Sequence, residues 1–211
     1  ISLLKKCCNA STTNSKRLII VEFFPLKIIN KKMIEDGANI IDIGAVSSRP
    51  GSIAVSEDVE LQRVKDIVDT IYKNKYYEKV DFSIDSYAPK VIDYVLNHGF
   101  KIVNDITGLQ NNEVCEIAAK YDAQVVIMHM QNNPTNMQQE PFKHFGYELL
   151  IGASRKSMID KIIPTPIEDR LSGTLAIHLE SIKNGASIIR CHDVKEHFQA
   201  IKVYEAINNI N

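Results

Sequence analysis

Apolar positions in this chain gather into short runs, and between the runs they recur at helical spacing. Seven runs read as strands: residues 17–24, 38–44, 80–85, 100–105, 123–130, 149–154 and 186–193. They are largely continuous in Ile, Val, Phe, Leu and Met, the pattern of strands covered on both faces. Between them, 26–37, 56–77, 88–99, 112–121, 167–185 and 194–209 carry apolar side chains three or four apart and predict helices. The helix at 56–77 has Ser56 in the N-cap position with acids in its first turn, and 26–37 stops at Gly37. Strands alternating with helices predict an α/β fold with right-handed crossovers and a parallel sheet.

The spacing breaks in one place. Between 123–130 and 149–154 lie only 18 residues, QNNPTNMQQEPFKHFGYE, with no helical period. That is short by about one βα unit of roughly 30 residues, and an eight-stranded α/β barrel usually needs about 250 residues. The link after 17–24 is also abrupt, with Pro25 following directly. The preferred reading is that loops of the natural protein are left out of this sequence. Residues 1–16 read as an N-terminal extension of a single 1–211 domain, open to being the end of a longer upstream segment, since the chain starts with Ile1 and not Met.

Composition narrows the classes. Apolar residues make up 45%, charged residues 24%, and the net charge is -1. This is the balance of an ordinary globular protein and argues against nucleic-acid binding by bulk charge. Cys7, Cys8, Cys115 and Cys191 fit no zinc spacing, and two adjacent cysteines make a poor disulfide framework, so reduced thiols and a cytoplasmic location are expected. No apolar run reaches about 18 residues, so no membrane span is expected, and the start lacks a signal-peptide layout. No G-x-G-x-x-G follows the first strand, which speaks against a plain nucleotide-binding Rossmann fold.

Polar residues fall at the carboxyl ends of the strands, where parallel α/β folds bind ligands. Ser47, Ser48, Arg49 and Pro50 follow one strand; Asp85 and Ser86, Asn104 and Asp105, and Met128, His129 and Met130 end the next three. Ser154, Arg155 and Lys156 follow another, and Arg190, His192 and Asp193 the last. Strand alternation puts Arg190 and His192 on one face and Cys191 on the other, where it reads as packing. Ser154 and Lys156 share a face if that strand stays extended. Arg49, Lys156, Arg190 and a histidine around one mouth suit an anion, most simply a phosphate or diphosphate. Asp85 and Asn104 suit a flat heterocycle with an amino-pyrimidinone edge. His129 reads as structural, and His98, His144, His178 and His197 as bystanders. No metal-ligand cluster stands out, so the metal-ligating residues are none.

The stretches GANIIDIGAVSSRPGS, FSIDSY, IVNDITGL, VVIMHMQNNPTNMQ, IGASRKSMI, LSGTLA and IIRCHDV resemble, in order, the dihydropteroate synthase family. The resemblance runs from about residue 37 to 195 and implies a TIM (β/α)8 barrel, usually a homodimer. It implies an enzyme of folate biosynthesis that joins a dihydropterin methyl diphosphate to p-aminobenzoate and releases diphosphate with Mg2+. By the same resemblance, Asp85, Asn104, Met128, Lys156 and Arg190 contact the pterin. Ser48, Arg49 and Pro50 form a mobile loop over the aminobenzoate, and Ser154 lies near its carboxylate. Ser48, Arg190 and His192 bind the diphosphate, and Lys156, Arg190 and His192 carry the chemistry. The family's NVTPDSFSDGG-like loop after the first strand and its DPGIGFGK-like motif in the sixth unit are absent, and GAVSSRP stands where GGESTRP is common. Two other readings stay open: a degenerate, non-catalytic pterin-binding homologue, and a methyltetrahydrofolate-dependent methyltransferase.

Overall fold

The computed structural model describes residues 2–6, 18–23, 31–46, 55–128 and 147–208. Seven strands run parallel, in the order the apolar runs predict: β2 (Leu18–Phe23), β3 (Ile40–Ile43), β4 (Asp81–Asp85), β5 (Ile102–Asp105), β6 (Gln124–Met128), β7 (Glu148–Ile151) and β8 (Ile188–Cys191). Helices α1 (Lys31–Glu35), α2 (Glu57–Lys73), α3 (Pro89–Leu96) and α4 (Asn112–Lys120) link them on the first half. On the second half lie α5 (Ser157–Ile162), α6 (Leu171–Lys183) and α7 (Val194–Ile207). The 167–185 prediction divides into a 3-10 turn at Ile167–Asp169 and α6, and α5 is a helix that the apolar spacing does not signal.

The eighth place in the barrel corrects the sequence reading. Ser2–Lys6, read as part of an N-terminal extension and not as a strand, is strand β1 and closes the sheet in the order β1-β6-β5-β4-β3-β2-β8-β7. It runs antiparallel to both neighbours, Ser2 opposite Met128 and Lys6 opposite Gln124 on one side, Ser2 opposite Leu150 on the other. The physical reason is that strand pairing is made by backbone groups. A seven-stranded sheet would leave β6 and β7 with rows of unpaired N–H and C=O groups, and any short extended segment can satisfy them. Five residues with one apolar pair carry no readable period, so the sequence pattern gives no sign of it.

Alternation along the strands sorts side chains into two cores. Ile20, Ile40, Ile102, Val126, Leu150 and Ile188 fill the barrel interior. Ile19, Ile41, Phe82, Ile84, Val103, Val125 and Ile189 face outward and pack against Val64, Val68, Ile71, Ile92 and Val95 of the helices. Each fully buried Ile or Phe contributes about 1.5–3 kcal/mol of transfer free energy. The same parity fixes the site: Ile188 inward, Ile189 outward, Arg190 inward, Cys191 outward.

Two details of the helix ends follow from local sterics. Gly37 has φ +103, and a Cβ there would lie 2.7 Å from the Phe198 ring, so both the backbone and the space demand glycine. Ser56 does precede α2 with extended backbone, yet its side chain makes no cap hydrogen bond. The acids Glu57, Asp58 and Glu60 in the first turn complement the helix dipole instead.

Candidate active site

One side of the barrel mouth is built on strands. Parallel register puts Asp85 beside Asn104 on β4 and β5, and the inward faces of β3 and β8 bring Asp42 and Arg190 to the same cluster. Asp42 Oδ2 accepts from Asn104 Nδ2 at 3.0 Å and from Arg190 Nη1 at 3.1 Å. Arg190 Nη1 also lies 3.9 Å from Asp85 Oδ2. Asp42 is only 2% exposed, and a carboxylate so buried is tolerable when a hydrogen-bonded cation offsets its desolvation. An ionised carboxylate accepts only, so Asp42 fixes which end of the Asn104 amide turns toward it. The mouth therefore does not hold Arg190 as a bare cation, as the charge count suggests; its charge is set between two acids.

Sequence reasoning missed Asp42. The signal was there: in NIIDIG an acid shares its face with Ile40 inside an otherwise apolar strand, and a buried acid calls for a partner.

The other side is built on loops. β7 ends at Ile151, earlier than predicted, and Arg155 takes left-handed backbone with φ 54. The shared face expected for Ser154 and Lys156 is lost there, because parity holds only along extended chain. Ser154 is buried and its Oγ lies 2.8 Å from His192 Nδ1 while accepting from His192 N–H at 3.3 Å. The serine hydroxyl thus ties both the ring and the backbone of His192 to the loop after β7. Arg155 forks onto Asp193, Nε to Oδ2 at 3.1 Å and Nη2 to Oδ1, the bidentate geometry that holds two loops most firmly. Arg155 N–H donates to Thr174 Oγ1 at 3.0 Å, and Arg170 Nη1 donates to Arg155 O at 3.3 Å. Lys156 is the exposed N-cap residue of α5, with no side-chain partner among the described residues.

Strand-end residues of the opposite parity are structural. Asp105 accepts from Thr107 N–H, Thr107 Oγ1 and Leu109 N–H, closing a turn. Ser86 Oγ accepts from Ala88 N–H and hydrogen-bonds Glu60, whose carboxyl burial pushes up. Cys191 is buried among apolar side chains, its thiol pushed up to about 12 by burial, and it is packing as expected.

Ser48, Arg49, Pro50 and His129 lie outside the described residues. Met128 is the last residue of β6, opposite Ser2. Among the described residues no three His, Cys, Asp or Glu side chains converge as a metal site, and no helix is long and apolar enough to cross a membrane.

The family model for pterin binding enzymes matches residues 26–144 and 139–192, and the break between its two pieces falls in the linker that is short of a βα unit. The Escherichia coli dihydropteroate synthase is 34% identical over 82% of this chain and 80% of its own length. The Helicobacter pylori bifunctional dihydropteroate synthase/dihydropteroate reductase is 33% identical over 82% of this chain, which spans 60% of that protein. Both alignments exceed 220 positions, so the relatives carry residues with no counterpart here. The crystal structure of the Yersinia pestis dihydropteroate synthase with a sulfonamide drug superposes with a TM-score of 0.78 at 28% identity, covering 92% of this chain and 95% of that one.

Proposed function

From the membership of this chain in the dihydropteroate synthase family of pterin binding enzymes, we propose that it condenses 6-hydroxymethyl-7,8-dihydropterin diphosphate with p-aminobenzoate, giving 7,8-dihydropteroate and diphosphate. The observation that supports this best is the inward cluster of Asp85, Asn104 and Arg190 anchored on Asp42. Asp85 and Asn104 sit on adjacent strands and offer an acceptor and an amide to the edge of a flat amino-pyrimidinone ring. Met128 and Lys156 complete the pterin slot. Ser154 meets the aminobenzoate carboxylate, with the loop of Ser48, Arg49 and Pro50 covering it. Residues 1–211 act as one pterin-binding domain.

The reaction is displacement at a methylene carbon on an electron-rich ring, and it needs no side-chain nucleophile. Its demand is on the leaving group, whose charge must be met as the C–O bond breaks. Arg190 and the ring of His192 meet that charge, held in place by Asp42 and Ser154 before it develops. Orientation of the amine toward the methylene carbon supplies the rest. Among the described residues no carboxylate cage fits a protein-held Mg2+, so an ion would arrive on the diphosphate oxygens; no step here depends on it. The exposed side chains of Ile162 (80%), Ile163 and Ile167 support a homodimer, and Cys115 and Cys191, free thiols among the described residues, support a cytoplasmic setting.

A second reading, a non-catalytic pterin-binding homologue, is favoured by the two-piece family match and by β1 standing where a parallel strand is expected. The purified protein separates the two. Diphosphate release that depends on p-aminobenzoate and is blocked by a sulfonamide is expected; pterin binding with no release would move the assignment to the second reading.

A further inference from the structure

His178 on α6 and His197 on α7 are each 1% exposed and lie edge to edge, outside the cluster that meets the pterin. Three hydrogen bonds run through them in a line. Ala153 N–H donates to His178 Nε2 at 3.0 Å. His178 Nδ1 and His197 Nε2 are 2.8 Å apart. His197 Nδ1 lies 2.6 Å from Asp193 O. The two ends dictate the middle. A backbone N–H can only donate, so His178 Nε2 is bare and its neutral ring carries the proton on Nδ1. A carbonyl can only accept, so His197 also carries its proton on Nδ1 and accepts from His178 on Nε2. One arrangement of two neutral rings satisfies all three bonds, and a further proton on either ring sets N–H against N–H at one of them.

What the line joins gives it meaning. Ala153 opens the loop after β7, which carries Ser154, Arg155 and Lys156; Asp193 closes the turn after β8, which carries His192. Side chains cross-link the same two loops twice, Ser154 to His192 and Arg155 to Asp193. We propose that His178 and His197 are a positioning pair, a backbone-to-backbone relay that sets the separation of the two loops and so the Ser154–His192 contact at the diphosphate and aminobenzoate end of the site. The proposal rests on the synthase reading for its consequence in catalysis, but not for its geometry.

The surroundings favour the neutral relay. Burial, with the neighbouring ring adding to it, holds His178 down at about 4. Burial also lowers His197, against the opposing pull of the Asp193 carbonyl and of the Asp193 and Glu196 carboxylates; His192 adds to the lowering. The Asp193 carboxylate is itself occupied by the Arg155 fork.

Nitrogen NMR of the full chain carrying 15N-histidine tests this without any turnover. At pH 7 both buried rings should show the Nδ1–H tautomer. An Nε2–H or charged form of His178 or His197 would overturn the relay. In His178→Leu the His192 ring-nitrogen signals should shift, and in His178→Gln, whose amide supplies an acceptor and a donor, they should return. An unchanged His192 signature in a folded His178→Leu protein would reduce the pair to packing and sink the positioning role. Kinetics then sharpen it: His178→Leu should raise KM for p-aminobenzoate about fivefold or more, with kcat falling less. Absence of turnover in the wild-type protein would count against the synthase reading alone, since the ring tautomers still judge the relay.

Discussion

The two sides of the barrel mouth hold polar groups by different means. On the β3, β4, β5 and β8 side, Asp42, Asp85, Asn104 and Arg190 project from strands, and their positions follow from register and parity alone. On the β7–β8 side, Ser154, Arg155, His192 and Asp193 stand beyond the last paired residues and are placed by side-chain bonds and a buried histidine pair. A site built on strands inherits its precision from the sheet. A site built on loops must be cross-linked, and each cross-link is a separate point of failure.

The contrast can be broken most sharply at Asp42. Asp42→Ala leaves Arg190 without its closest buried acid, and unfolding in urea should show a loss of about 3–5 kcal/mol. A loss under 1 kcal/mol would mean the strand side does not depend on that pair. Next in size is acid sensitivity on the loop side. His178 is held at about 4 against an ordinary 6.5, so the unfolded chain binds its proton first as pH falls. Stability from this residue is full above pH 6.5 and is lost as pH drops from 6.5 toward 4, by roughly 3 kcal/mol in all. His178→Leu should flatten that part of a stability-against-pH curve, whatever its effect at pH 7. Arg190→Ala should lower kcat/KM more than tenfold, or about 1.4 kcal/mol and above, and a near wild-type rate would remove Arg190 from the chemistry. Lys156→Ala should cut activity while moving stability by less than about 0.5 kcal/mol, since its side chain is exposed. Smallest of all, Ser56→Ala should change stability by no more than about 0.5 kcal/mol, because no cap hydrogen bond is there to lose.

What was legible in the sequence divides along the same line. The seven parallel strands and the inward facing of Arg190 could be read from apolar runs and a period of two. The pairing of Arg190 with Asp42 could not, because the two are 148 residues apart and only the closed sheet brings them together. The facing of Lys156 could be read only on the condition that the strand stays extended, and that condition fails where Arg155 turns left-handed. His178 and His197 read as bystanders because each sits singly on a helix; their partnership exists only once α6 packs on α7. The strand β1 was missed for a simpler reason: backbone pairing leaves no signature in side chains.

That strand also reverses the order in which residues meet the two rims of the barrel. Because β1 is antiparallel, Ser2 lies level with Met128 and Leu150, at the strand ends that form the mouth, and Lys6 lies toward the opposite rim beside Gln124. A change in backbone pairing at Ser2 is thus felt at the ends of β6 and β7, and one at Lys6 at the start of β6.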